Sequence, residues 1–212
     1  MRGWARQIVQ YLSDYALLWP GVLITTVVAI VLGGPIARRL RTATPVGFLL
    51  LFGFGLIASA TLTPSRDALR FGALGSGVCD LTRIGPVPLA DLFHFQDPAF
   101  NVALYLPLGI AIGMLPGGWA RRWLIVVGLL LAPAIELTQL VVRPLGRACQ
   151  TSDMSDNITG LLIGLLAGWL VARAIGLGAT DPDPDQPSTV EASSAAATDG
   201  PPAPPPPPPS DG

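Results

Sequence analysis

Glu136 is the one glutamate ahead of residue 177 in this 212-residue chain, and it stands inside an apolar run, LLLAPAIELTQLVV. A carboxylate at that depth costs roughly 3 kcal/mol unless it is paired or protonated. Candidate partners lie close in sequence: Gln139, Arg143 and Arg147, then Asp153 and Asn157, with Asn101 in an earlier apolar segment. Glu136, Gln139 and Arg143 are spaced to share one stripe of a helix, as are Asp153, Asn157, Gly160 and Gly164. Carboxylates, carboxamides and a guanidinium fork can do three things together. They can tie helices to one another, hold a polar or charged headgroup, or supply a general base for hydrolysis.

The elements that would carry these groups are apolar helices. Half of the residues are hydrophobic, 13% are charged, and the mean hydropathy is +0.54. A soluble domain carries roughly 25% charged residues, so lipid is the expected solvent and partner. The net charge of −1 leaves no basic face for nucleic acid. Five spans are predicted, near 15–34, 46–62, 98–115, 123–142 and 154–175, giving an all-α, polytopic integral membrane bundle over residues 1–176. A cleaved signal peptide is the rival for the first span, but its apolar run exceeds the usual 7–15 residues or so. Pro64 closes the second span, Pro116-Gly117-Gly118 the third, and Pro133 is expected to kink the fourth. Gly109 and Gly113 on span three, and Gly160 and Gly164 on span five, are the small residues through which membrane helices approach closely. Residues 177–212 hold a proline-rich, aromatic-free sequence that reads as a disordered, cytoplasmic tail.

Arginines set the expected orientation. Arg38, Arg39 and Arg41 follow span one, Arg121 and Arg122 follow span three, and Arg173 closes span five, which places those ends in the cytoplasm. The 65–97 and 143–153 loops then face outward, and so does the depth shared by Asn101 and Glu136. Cys79 and Cys149 fall one in each outward loop. An oxidising exterior permits a disulfide between them, with two inert thiols as the alternative. Residues 87–95 read as a short helix on the membrane surface. Ser65 reads as a helix-end cap. His94 is the lone histidine, near Asp91 and Asp97, without the spaced partners a metal requires. The chain has no phosphate-binding loop, no zinc-protease motif and no nucleophile elbow, so neither metal nor cofactor is expected.

Two segments resemble the VanZ-like family of bacterial membrane proteins. One is N-V-A-L-Y-L-P-L-G from Asn101 to Gly109. The other is E-L-T-Q from Glu136 to Gln139, followed by Arg147, Asp153, Asn157, Gly160 and Gly164. T-L-T-P at Thr61 to Pro64 also resembles the family's close to the preceding span. Two positions depart: Gln150 stands where many relatives have an acid, and Tyr105 where phenylalanine is common. The resemblance implies a link to teicoplanin resistance and no assigned reaction.

The expected function is a non-enzymatic envelope factor. Glu136, Arg147, Asp153 and Asn157, with Asn101 and Gln139, would form a polar site near the outer face. Its ligand would be a cell-wall precursor or a glycopeptide. Glu136 is expected to pair with Arg147 or Arg143, or to stay protonated. One alternative is a membrane-embedded enzyme on lipid-linked wall material, with Glu136 or Asp153 as general base. The least favoured alternative is a small transporter, because the inner halves of the spans are almost wholly apolar.

Overall fold

The computed structural model describes residues 17–83, 85 and 97–176. The sequence-based expectations for the N-terminal stretch, for the surface helix at 87–95, for His94 and Asp91, and for the tail lie outside those residues. Among the described residues the chain is a helical bundle. Its long helices are α1 (Leu18–Leu40), α2 (Thr44–Thr61), α4 (Asp97–Gly113), α5 (Trp119–Val141) and α6 (Thr151–Ala174). A short helix, α3 (Arg66–Phe71), follows α2, and two-residue strands β1 (Cys79–Asp80) and β2 (Cys149–Gln150) pair in parallel. Helices α1, α2, α5 and α6 are long and apolar enough to cross a membrane, while α4 is a shorter apolar helix.

The outward surface explains that composition. On α1, Leu23 is 68% exposed and Ile30 67%, and large apolar side chains are also exposed along α5 and α6. Water would leave such faces exposed at high cost, whereas lipid matches them, and helices satisfy their own backbone groups within it.

Helix α1 differs from the predicted first span. It runs through Gly34-Pro35 to Leu40 instead of stopping at residue 34. Proline forfeits one intrahelical hydrogen bond, and the remaining turns of an apolar helix outweigh that loss. Arg38 and Arg39 therefore lie in the last turn, where cations complement the helix dipole. Arg41 ends the helix in the left-handed region at φ 53°. Pro45 in the first turn of α2 then restarts the chain in the opposite direction.

The core gathers Leu50 and Ile57 of α2, Tyr105, Leu108 and Ile112 of α4, Ala132 and Ile135 of α5, and Leu161 of α6. The most extensively packed helix pair is α4 with α6. A Cβ placed on Gly109 would lie 2.9 Å from the Gly164 Cα, and one on Gly113 would lie 3.0 Å from the Gly168 Cα. A Cβ on Gly160 would come within 2.9 Å of the Val102 Cα. The matched numbering, 102 with 160, 109 with 164 and 113 with 168, makes the two helices parallel. The four glycines singled out in the sequence line this seam, and Gly168 extends it. In lipid such a seam is held by dispersion between closely approaching backbones.

Helices α2 and α5 run opposite to that pair: Gly53 of α2 abuts the Leu108 Cα, and Gly128 of α5 abuts the Leu161 side chain. One end of the bundle therefore collects the last turns of α2 and α5 and the first turns of α4 and α6.

Candidate functional site

That end holds a cavity of about 270 Å³. Its polar wall carries Asn101, Glu136, Gln139, Arg147, Asp153 and Asn157, all six of the polar residues read from the sequence. Thr61 and Gln150 join them, and Leu18, Leu56, Phe100 and Leu104 form an apolar wall. The cavity is thus amphipathic: its polar side chains come from α4, α5, α6 and the loop between α5 and α6, with Thr61 ending α2, and its apolar ones come from α1, α2 and α4.

Two of the six side chains close a helix end. Pro64 has no N–H, and the last carbonyls of a helix lack intrahelical donors. Gln139 Nε2 donates to the Thr61 carbonyl at 3.1 Å. Arg147 donates through Nε and Nη2 to the Thr63 carbonyl at 3.3 and 3.2 Å. A guanidinium at a helix C-terminus also complements the dipole.

Glu136 is 6% exposed, and its carboxylate accepts the Gln150 N–H at 2.8 Å. The pairing with Arg147 or Arg143 expected from the sequence is replaced by this backbone contact. The reason is geometric: the Arg147 fork turns toward the end of α2. Arg143 leaves the stripe because α5 ends at Val141, and it donates to the Gly75 carbonyl at 3.2 Å. The sequence departure at Gln150 carries little weight at this contact, since the backbone and not the side chain reaches Glu136. Asp153, in the first turn of α6, is close enough for its charge to act on Glu136.

Asn157 is 2% exposed, and its carboxamide oxygen has no hydrogen-bond partner among the described residues. An orphaned buried acceptor costs about 1–3 kcal/mol. The Tyr105 hydroxyl, buried in the core one turn beyond Asn101, is likewise without a hydrogen bond among the described residues.

Sequence reasoning missed the ion pair between Arg83 and Asp156. Asp156 is fully buried, whereas the Arg83 side chain is one-third exposed. Around it, Thr151 Oγ1 donates to the Arg83 carbonyl at 2.9 Å, and the Gly85 N–H donates to Ser155 Oγ at 3.3 Å. Asp80, Arg83 and Gly85 are therefore sewn to the first turns of α6. The available signal was Asp156 itself, a charge opening an apolar span and so needing a cation from a nearby loop. Asp80, at the surface of this segment, has its carboxyl held below the usual carboxylate range by hydrogen bonds from Thr82.

Cys79 and Cys149 form a disulfide with Cα atoms 4.5 Å apart, joining the partner residues of β1 and β2. Glu136 lies beside it, lining a smaller cavity of about 200 Å³ together with both cysteines. Ser65 caps the start of α3 by accepting the Ala68 N–H at 3.1 Å. Among the described residues no group of three His, Cys, Asp or Glu side chains is placed to hold a metal ion.

Chemically, the cavity can take the polar part of an amphiphile against its polar side chains and an apolar part against Leu18, Leu56, Phe100 and Leu104. Comparison with known proteins agrees with the sequence resemblance. The VanZ/LLP1 family model matches residues 22–172. No curated protein and no solved structure matches the chain. With most of the bundle, from α1 to α6, inside that match, the chain belongs to the VanZ/LLP1 family.

Proposed function

We propose that this VanZ/LLP1 protein is a multi-pass protein of the bacterial cell membrane. In this reading its amphipathic cavity lies near the outer face and binds a ligand connected with the cell wall. The cavity thereby contributes to tolerance of teicoplanin-type glycopeptides. The observation that carries the reading is the buried Asn157 oxygen, which among the described residues has no hydrogen bond, at a cavity shared by Glu136 and Asp153. A network serving only to hold helices together has no use for an unsatisfied acceptor, and a ligand donor would satisfy it. The orientation is supported by Arg38, Arg39, Arg121, Arg122 and Arg173, all at helix ends remote from the cavity.

The test is complementation of a strain lacking the protein. Intact protein, Asn157→Leu and Glu136→Gln are compared for teicoplanin susceptibility at matched membrane levels. Intact protein restores tolerance in this reading, and the two variants do not. Equal restoration by all three refutes it.

A second reading, an enzyme acting on lipid-linked wall material, draws on the Glu136 carboxylate contacting a backbone N–H and lining the cavity. Glu136 or Asp153 would then serve as general base. Purified protein should release product from such a precursor, with Glu136→Gln inactive. Absence of turnover by the intact protein removes this alternative.

A further inference from the structure

We propose that the end of the bundle opposite the Glu136 cavity holds the phosphate of an anionic membrane lipid, seated between Arg121 of α5 and Arg173 of α6. This site is separate from the one described above, and it requires only that the bundle lie in a bilayer.

At this end the turn from α4 to α5 meets the last turns of α6 and leaves a recess of about 160 Å³. Leu115, Pro116 and Gly117 line it from the turn, Trp169 lines it from α6, and Arg121 and Arg173 are its charged side chains. Every acidic residue among those described, Asp67, Asp80, Asp97, Glu136, Asp153 and Asp156, belongs to the other end of the bundle. Arg121 is half-buried and has neither a hydrogen bond nor an ion pair among the described residues. A guanidinium partly withdrawn from water without an anion is unfavourable, and its planar fork matches two oxygens of a phosphate. Arg173 is held differently, with its Cζ 4.8 Å from the centroid of the Trp169 ring. Stacking on a ring face leaves the in-plane N–H donors of a guanidinium for an acceptor.

The surroundings favour a lipid as the carrier of that phosphate. Tryptophans gather at headgroup depth in membrane proteins. Trp169 stands there on α6, and Trp119 and Trp123 pack edge to face at 5.5 Å where α5 begins. Leu166 and Leu170, both exposed, share one stripe of α6 with Arg173, so a chain attached to the phosphate has an apolar face to follow inward. A zwitterionic headgroup would bring its own ammonium toward two arginines, whereas an anionic one brings no like charge.

The test uses the full chain in nanodiscs of equimolar phosphatidylglycerol and phosphatidylcholine, with retained lipid read by native mass spectrometry. Phosphatidylglycerol should be enriched at least about tenfold, since each arginine near the headgroups contributes about fivefold. Arg121→Gln and Arg173→Gln should each lower the enrichment about fivefold. Arg121→Lys, which keeps the charge and loses the fork, should retain part of it. Arg122→Gln, at an exposed position outside the recess, should leave it nearly unchanged. An equal loss in Arg122→Gln and Arg121→Gln would reveal only general attraction to a basic end and overturns the site. Thermal stabilisation in detergent by inorganic phosphate, absent in Arg121→Gln and without lipid enrichment, keeps the phosphate site and overturns the lipid carrier. Asp181, Asp183 and Asp185 follow α6 in the sequence. The full chain with all three changed to Asn should enrich phosphatidylglycerol at least as well, and enrichment confined to that variant overturns the site in the native chain. Neither enrichment nor stabilisation in the intact protein overturns the proposal outright.

Discussion

The backbone N–H of Gln150 donates to the Glu136 carboxylate at 2.8 Å, joining the end of α5 to the residue that opens α6. A buried acid in an apolar helix is thus held by the chain itself and not by an arginine. Hydrogen bonds to a charged acceptor contribute about 1.5–3 kcal/mol, and this one leaves a carboxylate oxygen for other partners.

That contact predicts different outcomes at one position. Gln150→Ala keeps the N–H and should leave the detergent melting temperature nearly unchanged. Gln150→Pro removes the donor and clashes with the observed φ of −138°, costing about 3 kcal/mol or more. Equal melting of the two variants would show that the backbone contact is not made.

The glycine seam predicts a graded response to added volume. Gly164→Ala places a methyl 2.6 Å from the Leu106 carbonyl oxygen, with the backbone of α4 unable to yield cheaply. Overpacking of this kind costs about 1–3 kcal/mol, and Gly164→Leu should prevent assembly. Gly117→Ala, with open space around it, should be neutral. Circular dichroism and thermal melting in detergent distinguish the three.

Arg83→Ala should destabilise the protein by about 2 kcal/mol, because it strands part of the charge on the fully buried Asp156. The value lies below that of a wholly buried pair, since the arginine is one-third exposed. Arg83→Ala combined with Asp156→Asn should recover part of the loss, and additive losses in that double variant would count against the pair.

Opening the disulfide removes a link between positions 70 residues apart. Chain entropy puts the stabilisation at about 4 kcal/mol for such a loop, and helices already anchored in lipid lower it toward about 2. Cys79→Ser and Cys149→Ser should each lower the melting temperature, the double variant no further than either. Additivity of the two would mean that the cysteines act separately.

The long elements were legible because their apolar runs exceed what a soluble helix needs, and the glycine pairs because their spacing matches helical faces. The depth shared by Asn101, Glu136 and Asn157 followed from counting turns inward from span ends. What sequence could not supply was backbone chemistry. The carbonyls of Thr61 and Thr63 and the N–H of Gln150 are present at every residue, so nothing in the letters marks them as partners of Gln139, Arg147 and Glu136. For the same reason Arg147 looked like the natural mate of Glu136. The first span was drawn to residue 34, whereas α1 continues through Pro35 to Leu40, because the penalty proline imposes is outweighed in an apolar span. The Arg83–Asp156 pair required knowing that residues 79–83 fold back on α6.

The covalent link between the two loops also has a use in the cell. Thiols oxidise only in a compartment that permits it, so the state of Cys79 and Cys149 in living cells records which compartment those loops occupy. A mobility shift after reduction of freshly trapped membranes would locate the cavity on the outer face, with no tag, fusion or added label. Persistently reduced thiols would place it on the side of the glutathione pool and reverse the membrane sidedness inferred from the arginines.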